Sequence, residues 1–370
     1  MTQADYYEIV RQKLAIGPLQ APKHEKILEL LKVFWDEETI RVLSFFPNAG
    51  TPISPDEVAE KAGIPKQEVK KLLKQANKRR TLAKIGTKFS LEPLLPGIFE
   101  AYFIARQDTE ENLKAAAQIY RYLFENAKEI TIHSHDFQLF SPVLPIESTE
   151  KLIKIDESVD AKTQVLPYEL VEEMINKNEK FAVIPCQCRL ISELNGAPCT
   201  VAPASMGCFL VGPEAEAIVN LGMGRALTKE EAIEYLKETE KAGLVHNASN
   251  ESREHGFICN CCSCHCGALF PMKQFQLNNV RPSNFAPQPN PALCVQCKTC
   301  LKKCPMEAIS YEEGDNTMTI NYDLCIGCGI CAANCKKNAI MMERVRNVIP
   351  AEKNKIGDKT FSEMLSDLLL

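Results

Sequence analysis

The sequence predicts an α+β multidomain protein. A helical N-terminal domain closes with a small hairpin, a cysteine-rich α/β middle domain follows, and a C-terminal domain is built from two matched cysteine runs. Three observations carry this expectation. All 17 cysteines lie between Cys186 and Cys335. The cysteine-free part opens with short amphipathic helices separated by turn signals. The last part repeats one cysteine spacing twice.

The chain has 370 residues, a length that suggests two or three domains. Its 45% hydrophobic and 25% charged content is that of an ordinary globular protein. The formal net charge of -5 gives no overall attraction to nucleic acid or acidic membranes. No apolar run reaches the length of a membrane span, so no transmembrane helix is expected. The opening MTQADYYEIV has neither a basic nor an apolar stretch, so no secretory signal is expected and the predicted location is cytoplasmic. An extracellular disulfide scaffold fits poorly with an odd cysteine count, whereas packed metal-ligand spacings fit well.

Residues 1–100 read as the first domain. HEKILELLKVFWDEETIRVLSFF sets Ile27, Leu30, Leu31 and Phe34, then Ile40, Val42 and Leu43, at helical spacing. Ser54, Pro55 and Glu57 form a helix start with capping-box spacing, and Gly63 ends that helix. IPKQEVKKLLKQANKRR follows, with Val69, Leu72, Leu73 and Ala76 on one face, and TLAKIGTKFSLEPL reads as two strands around Gly86-Thr87. In pattern this order resembles a winged helix-turn-helix. That resemblance implies DNA binding or, equally familiar for such modules, protein docking. Lys66, Lys70, Lys71, Lys74, Lys78, Arg79, Arg80, Lys84 and Lys88 stand against the single acid Glu68, which would suit phosphate contacts or simply a solvated face.

Residues 101–165 read as a connecting segment, with a helix in TEENLKAAAQIYRYLFENA and a strand in EITIHSHDFQLF. His133 and His135 would share a face of that strand, as metal ligands or as an ordinary polar face. Residues 280–292 carry Pro282, Pro287, Pro289 and Pro291 and read as a stiff linker. Residues 293–345 form the expected third domain, and 346–370 a tail ending in an amphipathic helix that would pack on the rest of the protein.

In that third domain Cys294, Cys297, Cys300 and Cys304 stand in a C-x2-C-x2-C-x3-C-P run ending at Pro305. Cys325, Cys328, Cys331 and Cys335 repeat the spacing, with Lys336 in the proline position and a hairpin expected between the runs, turning at Gly314-Asp315-Asn316. The segment resembles the bacterial two-[4Fe–4S] ferredoxins. The resemblance implies that cluster I takes Cys294, Cys297, Cys300 and Cys335, and cluster II takes Cys325, Cys328, Cys331 and Cys304. Zinc is the alternative, because C-x2-C pairs also make zinc sites.

Residues 166–279 hold the other nine cysteines: Cys186, Cys188, Cys199, Cys208, Cys259, Cys261, Cys262, Cys264 and Cys266. IPCQCR, Cys199, MGCFLVG, ALTKEEAIEYLKETEKAGLVH and FICNCCSCHC together resemble a group of iron–sulfur proteins of anaerobic microbes in which this region precedes a two-cluster ferredoxin. The nine thiols could hold a third [4Fe–4S] cluster on Cys186, Cys188, Cys199 and Cys208 with a fourth within Cys259–Cys266, one site drawing on both groups with the spare cysteines structural or redox-active, or zinc. Alternation along an extended chain would set Cys262, Cys264 and Cys266 on one side and Cys259 and Cys261 on the other. His265 could ligate, and Arg189 could stabilise a neighbouring thiolate.

The expected function is electron transfer. Single electrons would pass through two [4Fe–4S] clusters to or from a further cluster or metal site in the middle domain, with a redox protein as partner. A redox- or iron-sensing DNA-binding regulator and a catalytic iron–sulfur reductase subunit are the competing readings.

Overall fold

Amphipathic spacing builds the N-terminal part as expected. The computed structural model describes residues 3–130, 138–149, 169–252, 255–311 and 318–369. Helices α1 (Gln3–Lys13), α2 (Glu25–Phe34), α3 (Glu37–Leu43), α4 (Pro55–Ala62) and α5 (Lys66–Lys78) follow in order. The apolar positions named above on α2, α3 and α5 are all buried. Ser54 and Glu57 close a reciprocal capping box on α4, and Gly63 ends it in the left-handed region at φ 64°. Strand β1 (Ala83–Ile85) pairs antiparallel with β2 (Lys88–Ser90), Ile85 opposite Lys88. The buried Trp35 donates its indole N–H to Thr81 Oγ1 at 2.9 Å.

This first unit gathers residues 1–137, 187–198 and 355–370, and the second gathers 138–186 and 199–354. Residues beyond 100 are therefore more than a connector. Helix α6 (Phe99–Ala105) and helix α7 (Glu110–Glu125) join the core of the first unit. Phe99, Phe103, Tyr120 and Phe124 interlock there with ring centroids 4.7–6.3 Å apart. The terminal helix Phe361–Leu369 buries Phe361, Met364 and Leu368 in the same unit. His133 and His135, with the strand expected for them, lie outside the described residues.

The second unit is organised by one six-stranded sheet. Its strands are β3 (Phe140–Pro142), β4 (Phe181–Ile184), β5 (Cys208–Val211), β6 (Arg225–Leu227), β7 (Val245–Ser249) and β8 (Phe257–Cys261). Their spatial order is β3-β7-β8-β5-β4-β6, and every neighbouring pair is antiparallel. The middle region was expected to be α/β, but its ladder is antiparallel throughout.

Alternation gives the sheet two different faces. Phe181, Val183, Phe209, Val211, Ala248 and Ile258 join one apolar core with Val171, Met174 and Ile175 of the helix Val171–Asn176 and with Ala232, Tyr235 and Leu236 of the helix Lys229–Ala242. That second helix starts in a capping box of Thr228 and Glu231 and stops at Gly243, φ 98°. Residues between these positions face the other way. They include Cys208, Cys259, Cys261 and Val245. Val245–Ser249 forms the fully buried strand β7, and its His246 has a neighbour at each ring nitrogen. His246 Nδ1 lies 2.7 Å from Asn260 Oδ1, and its Nε2 lies 3.3 Å from Glu240 Oε1.

The proline-rich stretch 280–292, expected as a linker, contains strand β9 (Phe285–Pro289). It pairs with β12 (Ile340–Arg344), Pro289 opposite Ile340 and Phe285 opposite Arg344. A two-stranded ribbon has no second neighbour, so the missing N–H of Pro287 and Pro289 is tolerated there. Between these strands, β10 (Ile309–Tyr311) pairs with β11 (Met318–Ile320), while the turn expected at 314–316 lies outside the described residues.

Phe209 is fully buried at the centre of this sheet and stacks on Phe181 at 6.0 Å. Phe209→Ala is expected to cost about 3–5 kcal/mol, from lost burial plus the cavity left behind. Anaerobic chemical denaturation of the full chain measures it, and a cost below about 1 kcal/mol would contradict the sheet's place in the core.

Candidate metal centres

The two C-terminal cysteine runs fold as copies of one local structure. Asn290 and Asn321 each stand four residues before a run. Each accepts an N–H at its side-chain oxygen, from Ala292 and from Asp323, both at 3.0 Å. The chain then enters the left-handed region at matching positions: Gln296 and Gly327, Lys298 and Gly329, Glu307 and Asn338. The last cysteine of each run accepts a backbone N–H four residues on. Ala308 donates to Cys304 Sγ and Ala339 to Cys335 Sγ, both at 3.3 Å.

The second run has glycine where the first has Gln296. At Gly327 a Cβ would overlap the Phe285 carbonyl oxygen and the Ser283 hydroxyl. Strand β9 thus presses directly on the loop between Cys325 and Cys328.

Each cavity in this segment collects thiols from both runs. Cys294, Cys297, Cys300 and Cys335 line one of about 420 Å³, together with Tyr311, Met318 and Ile340. Cys304, Cys325, Cys328 and Cys331 line a smaller one with Met306, Ile309 and Ile326. In the first cavity Cys297 is exposed, its thiol pulled down by Thr299, and Tyr311 Oη lies 3.4 Å from Cys300 Sγ. In the second, burial pushes the Cys325, Cys328 and Cys331 thiols up. Thiols so buried deliver thiolates only to a cation.

A third group of thiols stands on the sheet. Cys208 opens β5 and is the cross-strand neighbour of Cys259 on β8, with the sulfurs 3.5 Å apart. Cys259 and Cys261 alternate on β8 and so share a face. Cys261 in turn neighbours Cys266. The Cys208 and Cys261 thiols, with burial, push Cys259 well above its ordinary value. Asn247, opposite Cys259 in the β7–β8 ladder, is buried, and its side-chain amide lies against the Cys261 thiol. At Gly207, just before Cys208, a Cβ would overlap the Ile184 carbonyl and the Cys186 nitrogen, and the Gly207 carbonyl accepts from Asn260 at 2.7 Å and Tyr235 at 2.8 Å.

A fourth group is the tightest. The donor atoms of Cys199, Cys262, Cys264 and His265 all lie within 4.8 Å of one another. Cys199 and Cys264 sulfurs are 3.5 Å apart, and His265 Nδ1 is 3.0 Å from Cys264 Sγ. Cys262 raises the Cys199 thiol, but Cys264 and His265 outweigh it and leave Cys199 lowered. The Cys199 and Cys262 thiols push Cys264 up.

These groupings revise the divisions expected from the sequence: Cys199 gathers with Cys262, Cys264 and His265, and Cys208 stands beside Cys259, rather than the two sharing one site with Cys186 and Cys188. Cys266 was placed with Cys262 and Cys264, but extended structure ends at Cys261 and residues 263–265 form a turn. The Cys266 N–H reaches the Cys262 carbonyl at 3.3 Å, a helical spacing that brings Cys266 round to Cys261. Cys186 follows β4, its N–H on the Ala204 carbonyl at 2.7 Å. Cys188 and the fully buried Arg189 belong to the helix Gln187–Leu194 of the first unit. Alternation alone carried no sign of Gly207 or Asn247. The backbone contact at Gly207 and the register that sets Asn247 opposite Cys259 show both.

Gly327→Ala is expected to lower the iron bound per chain by about four, since it deforms the loop serving one four-iron site. Iron analysis after anaerobic purification measures this, and an unchanged iron content would contradict the close packing at Gly327.

Among the described residues no helix is long and apolar enough to cross a membrane. A search of curated proteins finds no match to this chain. Residues 293–340 match the family model described as a 4Fe-4S dicluster domain, so the C-terminal segment is a ferredoxin-like iron–sulfur domain.

Proposed function

We propose that the protein transfers single electrons between a redox partner protein and a metal site in its middle region, by way of the dicluster domain. Cluster I would be held by Cys294, Cys297, Cys300 and Cys335, and cluster II by Cys304, Cys325, Cys328 and Cys331. A third cluster would sit on Cys208, Cys259, Cys261 and Cys266. When bound, such clusters accept and release electrons one at a time.

One observation carries this reading. Cys259, Cys261 and Cys266 share a single apolar core with Cys304, Cys325 and Cys328, joined through Met306, Ile326 and Ile330. Cys304 also belongs to the next core, with Cys300, Cys331 and Cys335. The three thiol groups therefore stand in one continuous, water-poor packing. Electron transfer weakens steeply with distance, so contiguity of this kind is what a relay requires.

The chain's own residues do the holding and tuning. Backbone N–H groups of Ala308, Ala339 and Ala268 point at cysteine sulfurs, which favours the anionic form. Asn247 supplies a buried amide donor beside the sheet thiols. The exposed Cys297, with Val295 at 58% exposure next to it, marks the side from which a partner would reach the first cavity.

A second reading rests on α5. Lys66, Lys71 and Lys74 stand exposed along it, with Lys84 and Lys88 exposed on the hairpin. With its helix–helix–hairpin order this part resembles a winged helix, and such a face would serve a DNA-binding redox sensor. Specific, salt-dependent DNA retention that changes with cluster oxidation would favour that reading over a docking role.

The relay reading predicts about twelve irons per chain, four for each cluster. Cys261→Ser should remove about four, and Cys331→Ser a different set of about four. Iron and sulfide analysis of anaerobic protein decides it: about eight irons in the wild type, unchanged in Cys261→Ser, would confine the clusters to the dicluster domain.

A further inference from the structure

We propose that Cys199, Cys262, Cys264 and His265 bind one zinc ion in a closed Cys3His site that carries no electrons. The inference adds to the electron-transfer reading and does not depend on it, because zinc and iron are counted separately.

Spacing separates this group from the others. A tetrahedral zinc ion with Zn–S near 2.3 Å and Zn–N near 2.0–2.1 Å sets its donors about 3.5–3.8 Å apart. The four donors here lie within 4.8 Å of one another, with Cys199 and Cys264 at 3.5 Å. A [4Fe–4S] cube needs wider spacing, because each thiolate caps a different iron at a separate corner. Cys208 and Cys259 sulfurs also lie 3.5 Å apart and would have to separate to hold a cube; what sets the Cys199 group apart among the described residues is that all four of its donors gather within 4.8 Å.

The donor set is also complete. Three thiolates and one imidazole fill four positions and leave none for water or substrate, the arrangement of structural zinc. The surroundings fit a structural ion. Cys262 is 2% exposed and clusters with Ala202 and Leu244, and the half-buried Cys199, Met206, Ala242 and Cys264 pack against that cluster. Zinc has no accessible second oxidation state, so this site would stand outside any electron path. Its work would be mechanical. It ties the loop at Cys199 to the turn 262–265, and that turn sets the direction in which Cys266 returns towards Cys261.

The inference is tested on the full chain, expressed with iron and zinc both supplied and purified without oxygen. About one zinc per chain is expected beside the iron. Zinc X-ray absorption should show three sulfurs near 2.3 Å and one nitrogen near 2.0–2.1 Å. Cys264→Ala should lose the zinc, whereas His265→Cys should keep it with four sulfur neighbours. The absorption measurement needs only the wild type, so it decides even if Cys264→Ala does not fold. Iron at this site, no zinc, a zinc shell without nitrogen, or zinc retained in a folded Cys264→Ala variant would each overturn the proposal. Zinc present with no iron at all would instead sink the electron-transfer reading and leave this one standing.

Discussion

An extended strand sends neighbouring side chains to opposite faces, and the second unit depends on that constraint. On β5 and β8 it separates Phe209, Val211 and Ile258, which pack on helices, from Cys259 and Cys261, which share a core with the dicluster domain, and from Cys208 beside Cys259. One sheet therefore serves as the floor of an ordinary hydrophobic core and as the mounting for a row of thiols. A shift of one residue in register would turn the thiols into the helical core and Phe209, Val211 and Ile258 towards the opposite face. The register is pinned from the helical side. Asn260, between the two cysteines of β8, binds the Gly207 carbonyl and His246, and His246 leads to Glu240, which accepts the N–H groups of Ile146 and Glu147. A buried polar chain of this kind tolerates no slippage without leaving a donor or acceptor unpaired.

The end of that strand is as important as its register. Past Cys261 the chain turns, and the period changes from two to roughly that of a helix. Cys262 and Cys264 are carried to Cys199 and His265, while Cys266 returns to Cys261. Five cysteines in ten residues thus serve two groups with different spacings. One gathers four donors within 4.8 Å and suits a single ion, and the other lies in a core shared with the dicluster cavity.

Much of the fold was legible in the sequence because the signals were local. The capping residues Ser54 and Thr228, the glycine stops Gly63 and Gly243, and the apolar faces of α2 and α5 act through neighbours a few residues away. The dicluster cysteines were legible for the same reason, since their spacing is the site. Long-range pairing was not. Pro287 and Pro289 suggested a linker, yet they lie on a strand whose partner begins some fifty residues later. The middle thiols were divided by alternation, which holds for Cys259 and Cys261 and fails at the turn after them. The cross-strand meeting of Cys208 with Cys259 depends on which strands are neighbours, and that is settled by the sheet as a whole.

The proposed relay makes the sheet thiols and the second dicluster cavity one electronic neighbourhood, which paramagnetic resonance can read. In fully reduced protein, spin coupling is expected between a cluster on Cys208, Cys259, Cys261 and Cys266 and its neighbour on Cys304, Cys325, Cys328 and Cys331. Cys261→Ser should abolish that coupling and narrow the remaining signals. Spectra of the dicluster domain that are identical with and without Cys261 would contradict the account.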